Sequence, residues 1–358
     1  MGAGSVRLRR ADCGSPGLTR RRRGRGFEYL DADGQRVDDP ETVDRVRSLA
    51  IPPAWADVWI CPDPQGHLQA TGLDAAGRKQ YLYHPAWRSR RDRQKFDRML
   101  EFAEALPGLR RRLARDLGRD GLGRERVLAC SVRLLDLGLF RIGGEDYVEA
   151  NGTFGLATLR KEHVSIGRRP AMTFEYVAKG GLVHRRLVAD EPTYEVVSAL
   201  RRRRSGGEEL LAYRNGRAWR DVTSGDVNAY LRAAARGEFT AKDFRTWNAT
   251  VLAAVALAVL GKGKRSSATA RKRTIGLAVQ DVARYLGNTP AVCRSSYIDP
   301  RVFDRFGAGI TVGGIVDRLG EPADDTVRYE IEAAVLDLLL GDLDRTTIER
   351  SSDLDLVA

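Results

Sequence analysis

Residues 244–260 read FRTWNATVLAAVALAVL, and the ten from 251 to 260 form the longest apolar run in the chain. A bilayer core requires about 20 apolar residues in helical form, so this run is too short to span one and is expected as a buried helix of a globular domain. Arg245 opens that helix. Further helical patterns flank it, VNAYLRAAAR at 227–236 and TIGLAVQDVARYL at 274–286. Upstream, residues 89–117 place Phe96, Met99, Leu100 and Phe102 on one side, with a break predicted at Pro107-Gly108. A second helix is expected over 124–140. A strand pair over 163–188 turns at Ala178-Lys179-Gly180-Gly181, and RRRRSGGEE at 201–209 reads as a surface loop.

Ahead of the helices, short alternating stretches run from Phe27 to Pro85, separated by DG, PQG and AAG turns, and predict a small antiparallel β domain. Residues 1–25 hold eight arginines and almost nothing to bury, so they read as a disordered basic arm or a solubilising tail. The expected organisation is α+β: a basic arm at 1–25, a β domain at 26–90, a larger mainly helical domain at 91–320, and an acidic helix and tail at 321–358.

The 358 residues carry a net charge of +12, and residues 321–358 hold 11 acidic and 3 basic residues. That leaves 57 basic against 37 acidic residues in 1–320, a balance that favours a polyanionic partner, nucleic acid first. The segment GKGKRSSATARKR at 261–273 has six basic and no acidic residues and reads as a loop near phosphates or a merely solvated one. Cys13, Cys61, Cys130 and Cys293 stand far apart, which suggests neither a zinc site nor a disulfide framework and fits a reducing cytosol. Four histidines, at 67, 84, 163 and 184, are scattered, and no metal centre is expected. GKGKRSS lacks the spacing of a phosphate-binding P-loop, and the common hydrolase and dinucleotide motifs are absent.

What remains is arginine, lysine and tyrosine chemistry, which suits reaction at a phosphodiester. Guanidinium forks match the equatorial oxygens, lysine can protonate a departing alkoxide, and a tyrosine hydroxyl attacks phosphorus once it is placed among cations. Taken singly, Arg141 and Arg245 read as helix-terminal salt bridges, Lys179 as a solvated turn, Tyr297 as a packing residue, and Gly287-Asn288 as a helix C-cap.

Six motifs in order change that reading: GRKQYLYH (77–84), FRIGGEDY (140–147), ATLRKEHV (157–164), the AKGG turn, KDFRTW (242–247) and LGNTPAVCRSSYIDP (286–300). Together they resemble the type IB DNA topoisomerases of the compact poxvirus-like bacterial form, over roughly 250 residues, the scale of a two-domain enzyme. The resemblance implies a catalytic domain of the topoisomerase IB and tyrosine recombinase type. It also implies ATP-independent relaxation of supercoiled duplex DNA through a 3′-phosphotyrosyl intermediate, without cofactor or metal.

Carried over by position, Tyr297 is the implied nucleophile, Arg141 and Arg245 grip the scissile phosphate, and Lys179 is the general acid. Asn288 stands where poxvirus-type relatives have histidine; its amide donates a hydrogen bond but cannot titrate. DNA contacts are implied for Gln80, Tyr81, Tyr83, Tyr147, Lys161, Lys242, Lys262, Lys264 and Arg265. The expected enzyme is a cytoplasmic, nucleoid-associated monomer that clamps double-stranded DNA, with no membrane and no small-molecule substrate. A tyrosine recombinase shares the catalytic set but typically has HxxR where this chain has Lys242-Asp243-Phe244-Arg245. A non-catalytic DNA-binding protein would explain the charge but not the four residues together.

Overall fold

The computed structural model describes residues 7–138, 140–144, 152–262, 267–320 and 325–350. The chain divides into two compact units, Met1–Asp97 and Arg98–Ala358. In the first, β1 (Leu18–Arg23), β2 (Gly26–Leu30), α1 (Pro40–Ser48), β3 (Ala56–Ile60), β4 (Leu68–Leu73) and β5 (Lys79–Tyr83) follow in order. The strands form one antiparallel sheet in the order β2-β1-β3-β4-β5. Leu18, Val46, Val58, Ile60 and Ala70 make its core, with Trp55 and Leu82 against them. Asp39 caps α1 by accepting from the Thr42 amide at 2.9 Å.

The expected disordered arm is corrected here: Arg20–Arg23 lie within β1, an inner strand of the sheet. Leu18 anchors β1 in the core, and a Cβ on Gly17 would collide with the Trp59 indole at 2.2 Å. The charge run is accommodated by alternation. Arg21 and Arg23 pair with Glu28 on β2. Arg20 instead donates to the carbonyls of Ile51, Pro52 and Trp55 and lies 4.1 Å over the Phe27 ring. A run of arginines thus forms a strand because Arg20, Arg21 and Arg23 find acceptors while one leucine finds the core.

Helix α2 (Pro85–Leu117) carries the chain into the second unit, and the division falls inside it, between Asp97 and Arg98. The break expected at Pro107 does not occur. Pro107 is on the solvent side, while Phe102, Leu106, Leu109 and Leu113 bury a continuous stripe on the other and hold the helix through it.

The second unit continues with α3 (Arg124–Gly138), a three-stranded sheet of β6 (Val164–Ile166), β7 (Ala171–Ala178) and β8 (Leu182–Ala189), α4 (Glu191–Arg202), and a hairpin of β9 (Ala212–Asn215) and β10 (Ala218–Asp221). After α5 (Ser224–Ala235) comes α6 (Ala241–Gly261), the apolar helix expected from the sequence. By length and composition α6 passes as a membrane span, yet most of it is buried inside the fold. Phe244 and Trp247 are 1% exposed, and the Phe244 ring meets Phe102 edge-on at 4.9 Å. Next come α7 (Ala268–Leu286), α8 (Pro290–Ser296), α9 (Pro300–Gly307), β11 (Ile310–Thr311), α10 (Asp325–Leu340) and β12 (Glu349–Arg350).

The acidic helix expected within 321–358 is part of the core. Ala334, Val335, Leu338 and Leu339 of α10 are buried. Glu332 accepts from Arg110 at 2.6 and 2.9 Å, and Arg110 also reaches Asp136 at 2.9 and 3.0 Å. Burial pulls the Arg110 pKa down, but bonding to Glu332 and Asp136 more than offsets it, and the group stays charged. Removing Arg110 leaves the two buried carboxylates to share the charge of Arg328, with Arg133 near Asp136. Arg110→Leu is therefore expected to cost about 3–5 kcal/mol of unfolding free energy in a denaturant titration. A change under about 1 kcal/mol, the value of an exposed pair, would contradict this account.

Candidate active site

The C-terminal end of α7 is the point on which the site is built. Gly287 adopts the left-handed conformation, φ +61°, and the Asn288 amide donates back to the Ala283 carbonyl at 3.0 Å, closing the helix as a Schellman-type turn. The last carbonyls, which a helix leaves without internal partners, are taken by arginines from three other elements. Arg186 on β8 donates to Tyr285, Arg245 on α6 to Leu286 at 2.9 Å, and Arg141 to Gly287 at 2.7 Å. The same Arg141 nitrogen also donates to Asn288 Oδ1.

Each arginine is fixed by its own segment. Phe140 is buried against Phe174 and Tyr176, and the backbone carbonyls of Arg141 and Ile142 accept from Leu156 and Ala157, both at 2.8 Å. Gly143 and Gly155 touch backbone to backbone; a Cβ on Gly155 would lie 2.4 Å from Gly143 Cα. This close approach accounts for the glycines on both sides of Arg141's strap. Arg245, 4% exposed, sits in the first turns of α6. Burial, reinforced by Arg141, pulls its pKa down to about 10, against an opposing pull from Tyr297.

Tyr297 ends α8, with its ring centroid 5.3 Å from the Arg245 guanidinium carbon. Its backbone is pinned from both sides. Ile298 and Asp299 are fully buried, Asp299 caps α9 by accepting from the Arg301 amide, and the Thr250 hydroxyl accepts from the Asp299 amide at 3.1 Å. That hydroxyl also lies 3.3 Å from the Tyr297 carbonyl. Thr250 is on α6, five residues past Arg245, so one helix registers both guanidinium and tyrosine.

Several donors in this cluster are buried without an acceptor: Arg141 Nη1, Asn288 Nδ2 and Arg186 Nε. Because Arg141 occupies the Asn288 oxygen, the amide presents its NH2 group. Among the described residues no carboxylate lies within 4 Å of Arg141 or Arg186. Buried donors beside undischarged cations are the signature of a site that binds an anion.

The site residues expected from the sequence are placed as follows. Arg141, Arg245, Asn288 and Tyr297 come together. Lys179 is exposed at the tip of the β7–β8 hairpin, turned by Gly180 and Gly181 at φ +92° and +75°. Tyr81 and Tyr83 are 47% and 38% exposed on the edge strand β5, with stacked rings 6.2 Å apart. Gln80 alternates away from them and donates to Asp74 at 2.9 Å. Lys161 donates to the Arg203 carbonyl at 3.3 Å, whereas Lys242 and Lys262 are exposed at the two ends of α6. Tyr147, Lys264 and Arg265 lie outside the described residues. His184 and Arg186 were not expected. The one signal for them is that polar residues occupy alternate inward positions of β8, opposite buried Tyr176 and Phe174.

Comparison with known proteins decides the family. Residues 84–308 match a model described as the eukaryotic DNA topoisomerase I catalytic core, and residues 26–74 match the bacterial DNA topoisomerase IB N-terminal domain. The chain belongs to the type IB DNA topoisomerases. It is 30% identical over 291 residues to a protein named DNA topoisomerase 1B from Acanthamoeba polyphaga mimivirus, covering 79% of this chain and 85% of the viral one. The topoisomerase acts on double-stranded DNA, relaxing it by transient cleavage of one strand, and the recombinase alternative is set aside.

The candidate site of this topoisomerase also makes a pH-dependent contribution to stability. Burial, with the charges of Arg186, Arg141 and Arg245, pulls the His184 pKa down to about 4. An unfolded histidine titrates near 6.5, about the ordinary value. Between those values the unfolded chain binds a proton that the native chain refuses, so stability is lost as pH falls from about 6.5 to 4. In chemical denaturation at pH 7 and pH 4.5, His184→Gln is expected to lose less stability on acidification than the parent. An identical loss would contradict this placement of His184.

Proposed function

We propose that Tyr297 is the nucleophile, that Arg141, Arg245 and Asn288 hold the scissile phosphate, and that Lys179 is the general acid. The observation that carries this reading is the convergence of Arg141, Arg245 and Asn288 on the Gly287 turn, with the Tyr297 ring beside Arg245. The Tyr297 oxygen gives up its proton to solvent water and bonds to phosphorus as the bond to the 5′-oxygen breaks. That 5′-oxygen takes a proton from Lys179 and leaves as a hydroxyl. Charge gathering on the non-bridging oxygens meets the unpartnered N–H groups of Arg141 and Asn288, which need no reorganisation to receive it. The phosphotyrosyl ester conserves the bond for resealing, since the 5′-hydroxyl attacks it in reverse.

Guanidiniums suit this task because they stay protonated even where burial lowers their pKa, as at Arg245. The absence of a neighbouring carboxylate among the described residues leaves the charge of Arg141 for the phosphate. Lys179 sits three residues past Tyr176, the residue opposite His184, so about 10 Å of strand separates the hairpin tip from the arginine cluster. The long lysine side chain, carried on the Gly180-Gly181 turn, supplies further reach. On the N-terminal unit, Lys79, Tyr81 and Tyr83 share the outward face of an edge strand, a surface suited to a DNA backbone and grooves. The enzyme is proposed to act as a monomer on nucleoid DNA, with both units contributing to the clamp.

Relaxation of supercoiled plasmid in EDTA without ATP is the direct assay, and Tyr297→Phe is expected to abolish it and the covalent adduct together. Full activity of Tyr297→Phe would overturn the assignment. Asn288→Ala, which removes one donor from the transition state, is expected to slow single-turnover cleavage by about 100- to 1,000-fold. A loss below threefold would remove Asn288 from the site. DNA affinity is expected to fall steeply between 50 and 200 mM salt, in proportion to the number of phosphates contacted. A flat salt response in a binding titration would contradict the clamp.

A further inference from the structure

The β8 strand carries an arginine that the assigned catalytic set does not use. Arg186 lies opposite Phe174 in the sheet register, on the face where Tyr176 and Phe174 are buried, two residues from His184. It points inward among cations. Its charge is felt by His184 and Tyr176, and its own pKa is lowered by burial and by Arg141. One nitrogen donates to the Tyr285 carbonyl, while Nε is buried without an acceptor. No carboxylate lies within 4 Å among the described residues.

The structural alternative is an arginine that merely clips a helix end, and the chain provides an example of a purely structural one. Arg203 donates to three carbonyls, those of Leu210, Gly207 and Glu209, and has Asp221 at 3.9 Å. Arg186 has one carbonyl acceptor and a second guanidinium for company. Placing a cation there is unfavourable until an anion arrives. The anion that reaches Arg141 and Arg245 lies at the same helix end, one carbonyl away.

We infer that Arg186 is a third guanidinium on the scissile phosphate, supplying to the pocket positive charge that the neutral Asn288 amide lacks. This rests on the proposed function. Tyr285, Leu286 and Gly287 accept in succession, so their three guanidiniums fan around a single helix terminus. His184 stands inside that fan, its imidazole so close to Gly287 that a Cβ there would lie 2.1 Å from Nε2. It therefore acts as a spacer that sets the distance between β8 and the turn.

The test is single-turnover formation of the covalent adduct by the parent, Arg186→Gln and Arg186→Lys, on two duplexes. One carries the natural phosphodiester at the cleavage site, and the other an uncharged methylphosphonate at that linkage. A charge-assisted contact is worth about 1.5–3 kcal/mol, so Arg186→Gln should cleave the natural linkage about 10- to 100-fold more slowly. Arg186→Lys should recover part of the rate. On the methylphosphonate the deficit of Arg186→Gln should shrink to about threefold or less, since the charge it answers is gone. An unchanged rate for Arg186→Gln, or an equal deficit on both linkages, would overturn the inference and leave Arg186 a structural clip. If Arg186→Gln is too unstable to assay, the same comparison with Arg186→Lys decides. Failure of the parent to form any adduct would instead overturn the functional reading beneath it.

Discussion

Three consecutive backbone carbonyls at the end of one helix hold the proposed active site together. Tyr285, Leu286 and Gly287 accept from Arg186, Arg245 and Arg141, which come from a strand, a buried helix and an extended strap. The negative end of the helix dipole offsets part of the repulsion among guanidiniums. Carboxylates would do so more strongly, but each would also compete with the proposed phosphate for the charge. A carbonyl fixes the geometry and leaves the charge in place. The left-handed Gly287 is what exposes these carbonyls, and the His184 ring against it leaves no room for a side chain.

The rest of the second unit positions the partners of that turn. Helix α6 is central because it carries Arg245 near one end and Thr250 one turn and a half further on, the latter tied to the backbone around Tyr297. Asn248 on the same helix donates to the Asp136 carbonyl. Asp136 is fully charged despite complete burial, since the desolvation that would raise its pKa is outweighed by Arg328 and Arg110. Through Arg110 and Glu332 the C-terminal helix α10 closes over this same ion network. A segment that reads as an acidic appendage is thereby part of the support beneath the helix that aims Arg245.

Much of the candidate site was legible in the sequence because its residues sit in local motifs whose order is informative. Arg141 within RIGG, Arg245 within KDFRTW and Tyr297 within SSYIDP are each recognisable, and the left-handed C-cap at Gly287-Asn288 was readable from the residue types. What was not legible depended on distant register. Arg186 meets Tyr285 across 99 positions and Arg110 meets Glu332 across 222, and neither pairing leaves a trace in any short window. The arginine run of β1 was misread for a related reason. Composition assigns charge runs to solvent, whereas here the strand is secured by Leu18 and by carbonyls of a loop thirty residues away. Pro107 misled because the buried stripe on the opposite face of α2 outweighs one lost hydrogen bond on the solvent side.

The claim that the helix end organises the guanidiniums for a single phosphate is tested most directly by a high-resolution structure of the covalent complex with cleaved DNA. The account requires Arg141 and Arg245 to keep their bonds to the Gly287 and Leu286 carbonyls while their remaining N–H groups, with Asn288 Nδ2, reach the non-bridging oxygens of the phosphate on Tyr297. Guanidiniums that abandon the carbonyls on binding, or a phosphotyrosyl group held away from all three side chains, would contradict it.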